Sequence, residues 1–147
     1  MDSEESTLVK NWMRSKTTVP SEASIVEVAE VMTSRDVGSV LVTVEGKEAG
    51  ILTERDLTRK VVAKGLDPKS MLARDVMSSP LLTISQDAPL GEAAETMSKN
   101  RVRRLPVVDE KGKVVGIIST RIISYALPLM KTTKSTMLQL IRTDKDE

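Results

Sequence analysis

The chain has 147 residues, of which 39% are hydrophobic and 29% are charged, and its formal net charge is +1. This balance is typical of a globular protein with one compact domain or two small repeats, and it provides no overall attraction to nucleic acid. The sequence contains no Cys and no His, which excludes disulfides and a cysteine nucleophile and removes the usual general base and metal ligands. We therefore predict neither a catalytic residue nor a metal site.

The first ten residues, MDSEESTLVK, are acidic and polar, whereas a signal peptide needs a basic start followed by an apolar core. No apolar stretch approaches the roughly 20 residues that cross a bilayer. We therefore expect a cytoplasmic protein without membrane contact. Residues 1–8 are predicted to form an N-terminal extension, and Leu8, Val9 and Trp12 suit a short helix that packs on the domain.

Residues 9–66 carry a complete pattern of helix and strand signals. Apolar residues at helical spacing predict a helix, and two short β-branched runs around a Gly-containing turn predict a hairpin. Thr53 is a good N-cap for the helix that follows, and Gly65 is a good stop. The elements, in chain order, are a helix through Ile25, Val28, Ala29 and Met32, strands at 39–44 and 49–52, and a helix over 54–64.

The same pattern returns in residues 72–127, after a linker at 67–71. Ala23 and Ala88 are 65 positions apart, as are Met32 and Met97, while Gly50 and Gly116 are 66 apart. The chain therefore contains an internal repeat, with one residue added in the second turn. The second copy has a helix through Leu90, Ala93, Ala94 and Met97, strands at 105–108 and 114–118, and Ser119 as the N-cap of a last helix.

The predicted fold class is α+β, with two units that each follow the order β-α-β-β-α. A single unit of roughly 55–60 residues would be marginal alone, because small domains bury a low fraction of their surface. We therefore expect the two units to pack through their sheets about a pseudo-twofold axis, which implies two equivalent clefts. Residues 128–147 are predicted to be a tail, in which Met137, Leu138 and Ile141 suit a short amphipathic helix.

Four sequence motifs carry a resemblance to a known family: GILTERD at 50–56, DVM at 75–77, RRLPVVD at 103–109 and VVGIIS at 114–119. A lone Gly-x-x-Thr-x-x-Asp is a weak signal, but its repetition in register is specific. Over residues 9–126 the chain resembles the cystathionine-β-synthase (CBS) domain family, whose members normally occur as pairs called Bateman modules. The resemblance implies a regulatory module that is not an enzyme and requires no cofactor.

The resemblance also implies a ligand, an adenosine-containing molecule bound in a cleft between paired units. AMP, ADP or ATP is the expected ligand, and S-adenosylmethionine is a further possibility. In the family, the Asp of the motif holds the ribose hydroxyls, the Thr or Ser lies beside the sugar and phosphate, and the partner unit supplies the rest. Carried onto this chain, the resemblance assigns Thr53 and Asp56 to the sugar, Ile51, Leu81 and Leu82 to the base, and Arg103, Arg104 and, less firmly, Arg121 to phosphate.

The residue chemistry agrees with these assignments but also allows simpler interpretations. A carboxylate can accept hydrogen bonds from both hydroxyls of a diol, and arginine offers a fork of donors for phosphate oxygens. Thr53 and Asp56 could instead be only a helix cap with its acidic third residue. The arginines could be solvated surface charges, and Ile51, Leu81 and Leu82 are by residue type more typical of a core.

The second cleft departs from the pattern of the first. Ser119 keeps the hydroxyl, but Ile122 stands where Asp56 stands in the first motif. Its partner positions, Gly38 and Ser39, lack the arginines that occur at 103 and 104. We predict a weak or altered second site, or alternatively one in which Ile122 favours a more apolar ligand.

The sequence predicts a ligand sensor that acts on a partner, because no effector domain is encoded in it. A homodimer and an unidentified effector protein are the expected partners, since paired CBS domains usually dimerise. The alternative is an interaction scaffold whose nucleotide site is vestigial. Nucleic-acid binding through Arg101, Arg103 and Arg104 is disfavoured by the near-neutral charge and the scarcity of aromatic residues, and an enzyme is the least favoured class.

Overall fold

The structure is a computed structural model that describes residues 7–126, which divide into two compact units. The first unit is Lys16–Leu81. The second unit consists, among the described residues, of 7–15 together with 82–126. Residues 1–6 of the predicted extension at 1–8 and the whole tail at 128–147, including its predicted helix, lie outside the described residues. Within 7–126, no helix has the length and apolar character needed to cross a membrane.

The first unit contains one three-stranded sheet flanked by helices. The strand order is β1-β2-β3, in which β1 and β2 are parallel and β2 and β3 form an antiparallel hairpin. The elements are β1 Thr18–Pro20, α1 Ile25–Arg35, β2 Ser39–Val44, β3 Lys47–Thr53, α2 Glu54–Asp56, a π-helical turn Leu57–Val62 and α3 Ala73–Val76.

Helix α1 forms where the apolar periodicity predicts it. The Ser24 hydroxyl caps the helix by accepting a hydrogen bond from Glu27 N at 3.1 Å. Ile25, Val28 and Met32 lie on its buried face. The helix ends at Asp36, whose φ of 53° places it in the left-handed region. The sequence thus determines both ends of the helix and the face that it buries.

The second unit repeats this topology, with strand order β4-β5-β6. Its β4 and β5 are parallel, and β5 and β6 form the hairpin. The predicted order of strand, helix, strand, strand and helix is therefore confirmed in both units. The elements are a 3-10 helix Val9–Asn11, β4 Ile84–Ser85, α4 Leu90–Asn100, β5 Arg104–Val108, β6 Val114–Ser119 and α5 Thr120–Ala126.

The compact units are offset from the boundaries of the sequence repeat. Arg14 and Ile117 exchange backbone hydrogen bonds of 2.8 and 2.9 Å, so the first residues of the first repeat, up to Ser15, belong to the second unit. Ser78 and Ile51 exchange equivalent bonds of 2.9 and 3.0 Å in the first unit. In each case the added segment supplies partners for the outer edge of the hairpin's last strand, which would otherwise be unpaired.

Each unit has its own hydrophobic core, built mainly from aliphatic side chains. Met32 and Met97 are buried, and the other methionines of the described residues, Met13, Met71 and Met77, are partly buried and pack against the cores. The added segments at Arg14 and Ser78 also approach glycines of the sheets closely. A Cβ on Gly116 would lie 2.8 Å from Arg14 O, and one on Gly50 would lie 2.9 Å from Ser78 O. Glycine is therefore required where these segments run beside the edge strands β3 and β6.

Candidate functional site

The first motif lies at the end of β3, where the strand passes directly into α2. The Thr53 hydroxyl accepts a hydrogen bond from Asp56 N at 3.2 Å. In return, the Asp56 carboxylate accepts from Thr53 N at 2.9 Å and from the Thr53 hydroxyl at 3.1 Å. This reciprocal arrangement is a capping box, which satisfies backbone donors that the start of a helix leaves free.

The Asp56 carboxylate is partly buried and already has three bonding partners. All bonds from Thr53 reach Oδ2, whereas Lys60 forms an ion pair with Oδ1 at 3.2 Å. A carboxylate has about four lone-pair sites, so Oδ1 retains room for a further donor. The side chain is 17% exposed, which leaves a path for that donor. A ligand that engages both oxygens would have to displace Lys60 or share Oδ2 with Thr53.

Three other predicted site residues lie next to this motif in the same unit. Ser39 is the strand partner of Thr53, and the Gly38 carbonyl accepts from Glu54 N at 3.0 Å. Ile51 is only half-buried, although its residue type favours a core position. Leu81, at the end of the unit, is also half-buried. The strand register therefore brings Gly38, Ser39, Ile51, Thr53 and Asp56 together.

The arginine pair lies beside the second motif, within the second unit. Arg104 is the first residue of β5 and pairs with Ser119, the last residue of β6. The Arg103 carbonyl accepts from Thr120 N at 3.0 Å, in the same way as Gly38 in the first unit. Both arginines are half-buried. Leu82 is 39% exposed, so the core position that its residue type favours does not hold for it.

The second motif keeps the cap but has no carboxylate. The Ser119 hydroxyl accepts from Ile122 N at 3.1 Å, as Thr53 does in the first motif. Ile122 is 6% exposed and packs in the core of the second unit with Leu105 and Ile118. Its side chain fills the inside of the unit, which argues against the alternative that it lines an apolar ligand site.

Arg121 lies two residues after Ser119 and is exposed. Its Nε donates a hydrogen bond to the Tyr125 hydroxyl at 3.2 Å. This hydrogen bond, followed by the positive charges of Arg121 and Arg14, lowers the pKa of Tyr125 below its ordinary value of 10.0. Burial acts in the opposite direction.

Sequence reasoning missed Lys60, Arg14 and Tyr125. The spacing of four residues between Asp56 and Lys60, and between Arg121 and Tyr125, is the signal that could have identified two of them. Arg14 lies beside β6 because its backbone pairs with Ile117. Such backbone pairing leaves no side-chain pattern in the sequence.

The first unit also contains an apolar cavity of about 520 Å³. It lies between α1 and the π-helical turn, and Val62 at its side is 71% exposed. No sequence pattern indicated it. The lining residues are Ile25, Val26, Ala29, Glu30, Thr33, Ser34, Leu57, Val61, Val62 and Pro68.

The side chains of both motifs are groups that can bind a ligand. Among residues 7–126, no group of three or more His, Cys, Asp or Glu side chains is arranged to hold a metal ion. The described motif residues offer hydroxyl, carboxylate and guanidinium groups, which bind diols and oxyanions through charge-assisted hydrogen bonds.

Comparison with known proteins places the chain in a family. An uncharacterized protein of Methanopyrus kandleri is 40% identical over 78% of this chain, and the chain spans 58% of that relative's length. A conserved CBS domain protein of unknown function from Thermoplasma acidophilum has a similar structure, with a TM-score of 0.82, 22% identity, and coverage of 94% of this chain and 76% of that one.

A second structure of similar fold is the CBS domain pair of protein MJ0100, crystallised with 5′-methylthioadenosine and S-adenosyl-L-methionine. It is 30% identical, with a TM-score of 0.74, and the match covers 83% of this chain and 96% of that one. The family model of the CBS domain matches residues 9–63 and 73–129. The chain therefore belongs to the CBS domain family, and it carries two copies of that domain.

Proposed function

We propose that this chain is a non-catalytic regulatory module that binds an adenosine-containing ligand, with AMP, ADP or ATP as the preferred class. The observation that carries the proposal is the orientation of Asp56. Its carboxylate is fixed by Thr53, is 17% exposed, and keeps an acceptor site on Oδ1 for a ribose hydroxyl. The adenosine-containing ligands of the MJ0100 domain pair support the choice of ligand class.

We assign the remaining ligand contacts, to the phosphate and to the base, to the other predicted site residues. Arg103 and Arg104 of the second unit bind the phosphate, with Arg121 as a more peripheral contact, while Ile51, Leu81 and Leu82 contact the base. A guanidinium group keeps its charge at all relevant pH values and matches phosphate oxygens in pairs. The exposure of Leu82 and the half-buried state of Ile51 and Leu81 leave apolar surface for an adenine ring.

The second motif provides a weaker nucleotide site in this proposal. Gly38 and Ser39 offer no cation, and Ser119 and Ile122 offer no carboxylate. Ribose recognition by a charge-assisted hydrogen bond is therefore missing there. One nucleotide per chain is the expected stoichiometry at moderate ligand concentration.

Regulation requires that the ligand favours one arrangement of the module over another, because a ligand with equal affinity for both would shift nothing. We propose that this change of arrangement is transmitted to the second copy of a homodimer and to an effector protein. The apolar cavity beside Val62 supports a protein contact, since exposed apolar surface of this kind is typical of interaction sites. Val62→Asp should convert a dimer to a monomer in sedimentation experiments, and an unchanged mass would exclude this surface.

Thermal-shift measurements with a panel of ligands test the proposed ligand class. AMP, ADP or ATP should raise the melting temperature with increasing concentration, as mass action requires of a ligand that binds the native state. GTP carries phosphates but no adenosine, so it shows whether the site requires adenosine. S-adenosylmethionine contains adenosine but no phosphate, so it shows whether the site requires phosphate. The absence of a shift with every adenosine-containing ligand would overturn the proposal.

An interaction scaffold with a vestigial site is the second candidate function. The capping box favours it, because the bonds of Asp56 to Thr53 and Lys60 give the carboxylate a structural role without any ligand. The two candidates differ in one respect that can be measured. A scaffold binds its protein partner equally well with and without adenine nucleotide, whereas a sensor does not.

A further inference from the structure

Lys60 lies on the π-helical turn and contacts the first motif from there. Its ammonium group forms an ion pair with Asp56 Oδ1 at 3.2 Å and donates a hydrogen bond to the Val76 carbonyl at 3.0 Å. Val76 is the last residue of α3, so its carbonyl is one of the acceptors that a helix end leaves without an intrahelical partner. The ammonium is therefore held between the motif and α3 by two acceptors.

The backbone explains why Lys60 reaches Asp56. Asp56 has helical dihedral angles, and a residue four positions later lies on the same face of a helix. The turn then widens, because Ala63 N donates to Thr58 O at 2.8 Å, five residues earlier instead of four. Such π-helical turns are rare and are frequently found at functional sites.

The contacts of Asp56 leave one acceptor position on its carboxylate. Each carboxylate oxygen has two lone pairs. Oδ2 accepts from Thr53 N at 2.9 Å and from the Thr53 hydroxyl at 3.1 Å, so both of its positions are used. Oδ1 is paired with Lys60, which leaves one position. With these contacts in place, the carboxylate can accept a hydrogen bond from one ribose hydroxyl but not from two.

Lys60 has a donor that matches this position. An ammonium group has three N–H donors, and the contacts with Asp56 and Val76 use two of them. A hydroxyl group donates through its hydrogen and accepts through its oxygen. Because Lys60 Nζ and Asp56 Oδ1 are 3.2 Å apart, one oxygen atom can lie within hydrogen-bond distance of both. The two side chains are 40% and 17% exposed, so a ligand has access to the pair.

We infer that Lys60 is a further ribose-binding residue, and that Lys60 and Asp56 contact the same hydroxyl. Asp56 Oδ1 accepts a hydrogen bond from this hydroxyl, and Lys60 donates one to its oxygen. The inference rests on the proposed ribose contact of Asp56 and makes it more specific, because the site recognises one ribose hydroxyl and leaves the other without a carboxylate contact. Lys60 keeps both of its protein acceptors when the nucleotide binds.

Calorimetry with ATP, 2′-deoxy-ATP and 3′-deoxy-ATP tests this contact in the full chain. One of the two deoxy analogues should bind the wild-type chain nearly as tightly as ATP, and the other should bind more weakly. Lys60→Met should weaken ATP binding about 2- to 12-fold, the range for a single hydrogen bond, since water weakens the contacts of a 40% exposed ammonium group. It should cause no further loss for the analogue that lacks the recognised hydroxyl.

Lys99→Met is the matched control. Lys99 forms an ion pair with Glu95 at 3.3 Å, at the same spacing of four residues but in the second unit, so this variant should keep all three affinities. Equal losses for ATP and both analogues in Lys60→Met would overturn the inference, because they would indicate a structural role alone. Tighter ATP binding in Lys60→Met, or equal weakening of both analogues in the wild-type chain, would also overturn it, because the diol then competes with Lys60 for Asp56.

The failure of this inference can be distinguished from the failure of the proposed function. If Asp56→Ala binds ATP as tightly as the wild-type chain, both are overturned. If Asp56→Ala loses ATP affinity and Lys60→Met keeps it, only the role of Lys60 is overturned. A wild-type chain that does not bind ATP also overturns this inference, while the wider ligand panel decides on the proposed function.

Discussion

Thr53 and Asp56 hold each other in place: the Thr53 hydroxyl accepts from Asp56 N at 3.2 Å, and Asp56 Oδ2 accepts from Thr53 N at 2.9 Å. Lys60 forms an ion pair with the other carboxylate oxygen, Oδ1, at 3.2 Å. The carboxylate is therefore oriented before any ligand arrives, which reduces the conformational entropy lost on binding. The same bonds stabilise the start of a helix, so a structural and a binding role coexist in one residue.

Asp56→Ala should weaken the binding of an adenine nucleotide about 10- to 150-fold, measured by calorimetry. The reason is the loss of a charge-assisted hydrogen bond to the ribose, worth about 1.5–3 kcal/mol. The variant should also lose about 1 kcal/mol of stability, because the capping box is broken. An unchanged nucleotide affinity would remove Asp56 from the site and favour the scaffold.

Asp75→Ala is the matched control for Asp56. The Asp75 carboxylate accepts from Leu72 N at 3.0 Å at the start of α3, which is the same kind of backbone contact in the same unit. This variant should lose a similar amount of stability in urea unfolding and keep its full nucleotide affinity. If both variants lose affinity equally, the effect of Asp56→Ala is one of stability alone.

Arg104→Met should weaken ATP and AMP by about tenfold or more and leave adenosine nearly unchanged, because only the phosphorylated ligands use its charge. Methionine keeps the aliphatic part of this half-buried side chain, so packing is largely preserved. Calorimetric titrations with adenosine, AMP and ATP measure the difference. Equal losses for all three ligands would contradict a phosphate role for Arg104.

The repeat is what made the fold predictable from the sequence. Apolar residues at helical spacing, such as Ile25 and Val28, and the β-branched hairpins recur in register, so local pattern and topology agree. The bridges of Ser78 to Ile51 and of Arg14 to Ile117 were not predictable, because they are made by backbone atoms. They shift the compact units by several residues from the sequence boundaries.

The site was predictable in part, and for a related reason. The spacing of Thr53 and Asp56 along the chain predicts the capping box, because the N-cap residue and the third residue of a helix lie within hydrogen-bond distance of each other. The burial of Ile122 in its core depends on tertiary packing that one motif does not contain. The apolar cavity likewise depends on how α1 and the π-helical turn face each other.

Tyr125 should titrate below 10.0 in the folded chain, because the hydrogen bond and charge of Arg121 and the charge of Arg14 favour the phenolate. A pKa that is lower in the folded state contributes stability only above the unfolded pKa, and this contribution is lost as pH falls through the folded pKa. At neutral pH the contribution is therefore absent. Arg121→Met should move the absorbance midpoint up toward 10.0 and reduce stability more in alkaline than in neutral solution. A midpoint that is the same in both proteins would show that Arg121 does not act on Tyr125.

Gly116→Ala should destabilise the chain by about 1–3 kcal/mol in urea unfolding, the range for overpacking a tight contact. The new Cβ would lie 2.8 Å from Arg14 O, and that carbonyl accepts a hydrogen bond from Ile117 N at 2.9 Å. Making room for the Cβ therefore requires that this hydrogen bond lengthens.

Gly91→Ala is the opposite control in the same unit. Gly91 lies in α4 with no atom within 4 Å of its Cβ position, so alanine should stabilise that helix by about 0.5–1 kcal/mol. A Gly116→Ala protein with wild-type stability would mean that the bridging segment is free to move away from β6.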